Sequence, residues 1–275
     1  MQGFVRRVLT AVVFVVVMVG GVYLHPFSLV ALFLLIAAMS LWEYFDLTLI
    51  KNNSRRKWIG LLLGLFPFLL SALYNLPNLE LAHDFLYNGI LLFFPLVALS
   101  FVFELYTSSE KPFANIGVLL LGVFYIGIPL AFVPMMAFRA GVFQPNIIFG
   151  LLLLTWANDT GAYLIGSQIG RTKLFPRISP KKTWEGSLGG VVVAFLAAYL
   201  LSMVFKDLAL KDWLILALLV SIFGSIGDLV ESMLKRSLNI KDSGTLLPGH
   251  GGMLDRFDAF LFLLPFAAAY LLWIS

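Results

Sequence analysis

NIGVLLLGVFYIGIPLAFVPMMA, residues 115–137, runs for 23 positions without a charged side chain. A helix of about 20 apolar residues crosses a hydrocarbon core roughly 30 Å thick, so this stretch reads as a transmembrane helix. A helix is required because hydrocarbon cannot solvate unpaired backbone groups. A β-barrel strand would be short and alternating, whereas this run is continuously apolar. Eight further runs are predominantly apolar and of similar length: 7–24, 29–49, 58–75, 88–106, 147–165, 187–205, 213–234 and 253–274. The first follows Arg6 and Arg7 as a signal peptide would, but no small-x-small cleavage site precedes His25-Pro26, and it reads as a membrane span. The expected fold class is all-α: a polytopic membrane helical bundle of about nine transmembrane helices.

Composition agrees. The 275 residues are 60% hydrophobic and 12% charged, with a mean hydropathy of +0.95. Soluble domains carry about a quarter charged residues, and a soluble fold of this length could not hide so much apolar surface. There is no cysteine, which excludes disulfides, thiol catalysis and thiolate metal sites. Three histidines, His25, His83 and His250, leave little room for an imidazole-ligated zinc. Any metal is expected to be hard and oxygen-ligated. The net charge of +4 does not point to nucleic acid, because no soluble basic domain exists to carry such a surface.

With the N-terminus cytoplasmic, 16 of the 19 Lys and Arg residues fall at the cytoplasmic side, leaving Arg139, Lys206 and Lys211 opposite. That bias sets the orientation and implies an inner-membrane, multi-pass protein. It also places the two longest polar loops, 166–186 and 235–252, on one face. The expected organisation is an N-terminal group of helices over 1–110, with no role assigned, and a C-terminal catalytic region over 111–275. Matched pairs of broken half-helices, expected of many transporters, are not clearly present.

A carboxylate at membrane depth is costly and usually functional. Asp159 lies in WANDTG (156–161), and Asp228 and Glu231 lie in GSIGDLVE (224–231). Asp255 and Asp258 are three apart and share one face of the last helix. Singly, each reads as a partner of Arg256 or Lys235. Together they repel one another unless a cation lies between them, and Mg²⁺ held by one or two carboxylates plus substrate phosphates is the natural solution. Glu80, Asp84, Asp207 and Asp212 read as solvated outer-loop residues. Glu43, Asp46, Glu104 and Glu110 read as solvated span ends or ion-pair partners.

Phosphate binders come next. SPKKTWEG (179–186) offers Ser179, Lys181, Lys182 and Thr183 before a helix start. Thr183 is placed to cap that helix, whose N-terminus attracts phosphate. A loop gripping lipid headgroups, with Trp184 as interfacial anchor, is the plainer alternative. PGHGG (248–252) supplies His250 and a backbone at Gly251 and Gly252 able to approach a ligand closely. A simple break between two helices would explain those glycines as well.

From Ser232 to Asp258 the chain reads SMLKRSLNIKDSGTLLPGHGGMLDRFD. This resembles the signature of the phosphatidate cytidylyltransferase family at Ser232, Lys235, Arg236, Lys241, Asp242, Gly244, Pro248, His250, Gly251, Gly252, Asp255, Arg256 and Asp258, and the 179–186 stretch looks like a second element of that family. Recognisable motifs cover roughly 155–260; the first 110 residues show only hydropathy. The resemblance implies a membrane enzyme that uses CTP and Mg²⁺ to convert phosphatidic acid to CDP-diacylglycerol. It implies Asp228 and Asp255 as principal metal ligands, with a monovalent cation such as K⁺ sharing the site.

The residues fit that chemistry. A phosphomonoester loses its second proton near pH 6, so phosphatidic acid needs no activating base to attack the α-phosphorus of CTP. The protein is left with positioning and charge stabilisation. The expected catalytic set is Asp228, Asp255, Lys235, Arg236 and Asp258. The expected substrate-binding set is Asp159, Ser179, Lys181, Lys182, Thr183, Ser232, Lys241, Asp242, His250, Gly251, Gly252 and Arg256. His250 is read as a binding group because pyrophosphate leaves well without a general acid. The expected partners are CTP, phosphatidic acid, the bilayer and a second copy in a homodimer. The rivals are a CTP-dependent polyprenol kinase and, further off, a transporter using the buried carboxylates.

Overall fold

Each of the nine apolar runs becomes a helix. The computed structural model describes residues 2–49, 54–76, 84–107, 109–240, 243–244 and 251–274. The candidate residues Lys241, Asp242 and His250 lie outside these described residues. Eight helical segments are long and apolar enough to cross a membrane, and α1 (Gln2–Tyr23) adds a further helix of 22 residues. The chain is a multi-pass helical membrane protein.

Local chemistry starts and bends these helices. His25 begins α2 (Pro26–Thr48): its ring accepts the Phe27 N–H at 3.2 Å, and Ser28 Oγ accepts the His25 N–H at 2.9 Å. The run 115–137 belongs to a longer element in which α5 (Pro112–Gly122) passes through a π-helical turn at Val123–Gly127 into α6 (Ile128–Ala137). The run 213–234 is bent in the same way. There, α9 (Leu210–Leu219) passes through a π-helical turn at Val220–Gly224 into α10 (Ser225–Ser237). π-Turns recur at functional sites, and this second one ends four residues before Asp228.

The polar stretch 166–186 is shorter and more ordered than expected. α7 (Pro145–Ile169) extends into it, and α8 (Trp184–Val204) starts inside it. Between them β1 (Lys173–Phe175) and β2 (Ser179–Thr183) pair antiparallel, with Lys173 opposite Thr183 and Phe175 opposite Ser179. This hairpin departs from the all-helical expectation. Outside hydrocarbon a backbone is not confined to helix, and Pro180 is tolerated because both strands of a two-stranded sheet are edges.

The chain forms two compact units, Met1–Phe143 with Ser243–Leu254, and Gln144–Asp242 with Asp255–Ser275. The first contains α1, α2, α3 (Ser54–Asn75), α4 (Phe85–Tyr106), α5 and α6. Its core is built from Phe33, Leu41, Tyr44, Phe45, Phe68 and Leu119, all almost fully buried. α4 buries only Ser100 and Glu104 along its length. Glu104 is an ion-pair partner, as expected: it holds Arg56 of α3 in a two-pronged contact, with Arg56 Nη2 donating to Oε2 at 3.0 Å and Asn115 Nδ2 donating at 3.3 Å. Asp46 likewise pairs with Lys57. Arg56 and Glu104 are 7% and 3% exposed. Arg56→Ala is therefore expected to lower stability by about 3–5 kcal/mol, since it strands a buried carboxylate. Thermal denaturation of the detergent-solubilised protein reads that loss.

The second unit is organised by α7 and α8, which approach closely on small residues. A Cβ on Gly189 would lie 2.5 Å from Ile165, and one on Gly161 would lie 2.7 Å from Val193. Small residues let membrane helices pack backbone to backbone. α11 (Leu254–Trp273) supplies the last helix. Asp212 corrects the sequence reading: it is not a solvated loop residue but is 6% exposed. It lies in the first turn of α9, accepts the Ala209 N–H at 3.2 Å and accepts a hydrogen bond from the Tyr270 hydroxyl at 2.7 Å. A helix N-terminus stabilises a carboxylate, and Tyr270, 58 residues away in sequence, could not be foreseen as its donor.

Candidate active site

Gly227 decides how close α10 and α11 come. A Cβ there would lie 2.7 Å from the Asp258 carbonyl oxygen and 2.7 Å from Phe262 Cβ, so the helices touch at backbone level. Asp228 is the next residue. Its Oδ2 lies 2.6 Å from Lys182 Nζ, and its Oδ1 accepts from Ser232 Oγ at 3.3 Å. Lys182, carried by β2, also donates to the Ser225 carbonyl at 3.3 Å. The hairpin thus delivers its lysine to the first turn of α10, just after the π-turn.

Asp159 of α7 and Asp258 of α11 complete this group. The carboxylates of Asp159, Asp228 and Asp258 lie within electrostatic range of one another. Asp258 Oδ1 also accepts the Ala259 N–H at 2.7 Å. One helical turn beyond Asp228, Glu231 is fully buried. Lys235 Nζ sits 2.5 Å from Glu231 Oε2 and 2.7 Å from Asp255 Oδ1. It ties α10 to α11 in the way the pairing reading of Asp255 anticipated.

Five carboxylates and two lysines therefore meet on α7, β2, α10 and α11. Acidic groups in such a cluster repel one another unless lysines or a cation lie between them. The donors are all carboxylate oxygens, the set a hard divalent ion prefers. Among the described residues, no three acidic or imidazole groups are arranged to hold a metal by themselves. Mg²⁺ typically takes only one or two carboxylates and completes its shell with water and substrate phosphate, so the donor set is compatible with it.

The cytidylyltransferase family model matches residues 5–274. The chain belongs to that family. It is 36% identical over 273 residues to a phosphatidate cytidylyltransferase of Bacillus subtilis (strain 168), covering 96% of this chain and 95% of the relative. It is 36% identical over 264 residues to a phosphatidate cytidylyltransferase of Staphylococcus haemolyticus (strain JCSC1435), covering 94% and 95%. A Staphylococcus aureus (strain COL) protein of the same name is 35% identical over 269 residues, covering 94% and 95%. The match reaches back to residue 5, so the family likeness takes in the first 110 residues, where the sequence shows only hydropathy.

Thr183 caps α8: its Oγ1 accepts the Gly186 N–H at 3.2 Å, as the sequence suggests. Ser179 lies in β2, and Lys181 is exposed beside Lys182. Arg236 is exposed and donates to the Ile178 carbonyl at 3.5 Å and the Ile240 carbonyl at 3.2 Å, linking α10 to the hairpin turn. Arg256 is exposed at the start of α11. Gly251 and Gly252 belong to the first unit. Gly251 has φ +86°, a left-handed conformation that favours glycine.

Glu43, like Asp212, was misjudged from the sequence. It is neither a solvated helix end nor a surface ion-pair partner, being 4% exposed. Its carboxylate accepts the N–H groups of Met253 and Leu254 at 2.9 and 2.8 Å. The only available signal was a carboxylate within an otherwise apolar helix, which demands a partner without naming one.

Proposed function

We propose that this chain transfers the cytidylyl group of CTP to phosphatidic acid at the cytoplasmic face of the membrane, forming CDP-diacylglycerol and pyrophosphate. The observation that carries this reading is the meeting of Asp159, Asp228, Glu231, Asp255 and Asp258 with Lys182 and Lys235 in a family member whose relatives bear the name phosphatidate cytidylyltransferase.

In the proposed reaction a phosphate oxygen of phosphatidic acid bonds to the α-phosphorus of CTP. The bond from that phosphorus to the β-bridging oxygen breaks, and pyrophosphate departs with the electron pair. No proton needs to leave the nucleophile first, because the monoester is already largely ionised at neutral pH. Asp228 and Asp255 would hold Mg²⁺, with K⁺ sharing the site; the divalent ion supplies neutralisation of phosphate charge when bound. Lys182 and Lys235 place ammonium groups beside those carboxylates, where they offset the triphosphate and lipid phosphate charge. Lys181 and Arg236 add positive charge at the same hairpin and helix end. Ser179, Thr183, Ser232, Arg256 and Asp159 contribute to substrate binding in this reading, as do Lys241, Asp242, His250, Gly251 and Gly252. The cytoplasmic placement rests on the Lys and Arg distribution. The expected assembly is a homodimer.

CTP labelled at the α-phosphate tests the reaction. The label is expected in the lipid product. Label recovered in soluble CDP would instead identify a kinase transferring the γ-phosphate. Turnover by detergent-purified protein, with no gradient present, would set aside a transporter.

A further inference from the structure

Both ends of the segment between Gly244 and Gly252 rest on one side chain. Glu43, near the end of α2, uses each carboxylate oxygen separately: Oε1 accepts the Met253 N–H and Oε2 accepts the Leu254 N–H. The glycines close on the same two atoms. A Cβ on Gly244 would lie 2.6 Å from Glu43 Oε1, and a Cβ on Gly252 would lie 2.5 Å from Oε2. Main chain from both ends of the segment is thus packed against a single buried carboxylate, at a distance only glycine allows.

Burying a carboxylate at 4% exposure is costly unless it is hydrogen-bonded. An apolar side chain at position 43 would fill the same helix face without that cost. What Glu43 adds is direction. Its two amide partners stand at the entry of α11, where unpaired N–H groups and the helix dipole favour an anion. Leu254 is the first residue of that helix. Asp255 follows it in the chain, and Asp258 lies one turn further on.

We infer that Glu43 is a positioning residue for cytidylyl transfer: it holds the main chain at Gly244 and Gly252 against one carboxylate and fixes the first turn of α11, and with it the placement of Asp255. This rests on the reaction proposed above. Glu43 touches no reacting atom; it acts through the backbone of Met253 and Leu254.

The test uses Glu43→Gln and Glu43→Asp in the full-length purified protein. Gln keeps the volume but presents one acceptor oxygen and one NH₂ group, so one of the two amides faces a donor. The expected result is a fall in kcat on the order of 10- to 100-fold, the scale of a misplaced catalytic group, with KM for CTP changed less than about threefold. Glu43→Asp, which keeps two acceptor oxygens, is expected to recover part of the lost kcat. Amide hydrogen exchange at Met253 and Leu254 is expected to speed up in Glu43→Gln while exchange in α7 and α8 stays unchanged. Wild-type kcat in Glu43→Gln overturns the inference. So does a loss of activity that merely follows the loss of folded protein, with turnover per folded molecule intact. If Glu43→Gln does not fold, Gly244→Ala presses on Oε1 from the loop side, and normal kcat in that variant overturns the inference equally. A wild-type protein that does not turn over CTP and phosphatidic acid would count against the proposed reaction, while amide exchange would still decide the Glu43 contact.

Discussion

Asp228→Asn and Asp255→Asn are each expected to abolish cytidylyl transfer while leaving the protein inserted and folded. Asparagine preserves the shape of each side chain and removes its charge. Under the proposed mechanism each variant loses one anionic ligand of the divalent ion. Charge stabilisation by such an ion is worth several kcal/mol, and about 1.4 kcal/mol corresponds to a decade in rate, so a loss on the order of 10³-fold follows. The structural cost is small by comparison. The Asp228 side chain is 38% exposed and its pair with Lys182 is partly screened, as exposed pairs are. Asp255 shares Lys235 with Glu231, so Lys235 keeps an acidic partner in Asp255→Asn. Turnover at saturating CTP and Mg²⁺, alongside a melting curve, separates the two effects. Near-normal rates in both variants would remove the metal proposal.

Lys235→Ala is expected to fail in stability and in catalysis together. It strands Glu231, whose side chain is fully buried, beside Asp255, whose side chain is 11% exposed. Breaking a buried pair from one side costs about 3–5 kcal/mol, whereas replacing the pair with apolar groups of similar volume is close to neutral. The double variant Lys235→Met with Glu231→Leu should therefore recover the part of that loss due to Glu231, while Asp255 still lacks its Lys235 partner. Its turnover should stay near the floor, because the ammonium group that offsets phosphate charge is still missing. A double variant that regained both stability and turnover would show that Lys235 only fastens α10 to α11.

The site was legible to the extent that its chemistry is confined to the backbone order of motifs. Asp228 and Glu231 are one turn apart, as are Asp255 and Asp258, so each pair shares a face by helical periodicity. Thr183 before Trp184-Glu185-Gly186 is a capping pattern, and it caps. The partners were not legible. Lys182 reaches Asp228 across 46 positions of sequence, and Tyr270 reaches Asp212 across 58. Nothing local in either segment specifies which acid meets which donor.

Hydropathy alone determined that this chain is a bundle of membrane-crossing helices, because a bilayer permits no other continuous apolar backbone. It placed the spans to within a few residues of the helices observed. Composition determined that the functional groups are oxygen and nitrogen, with no thiol. Tertiary structure decided the rest: that the polar stretch before α8 is a paired hairpin carrying Lys182 to α10, that Gly227 lets α11 touch α10, and that Glu43 is turned inward onto the entry of the last helix. The physical reason is the same in each case. Periodicity fixes which face of a helix a residue occupies, but the partner on that face is supplied by another segment, and only the packed chain brings the two together.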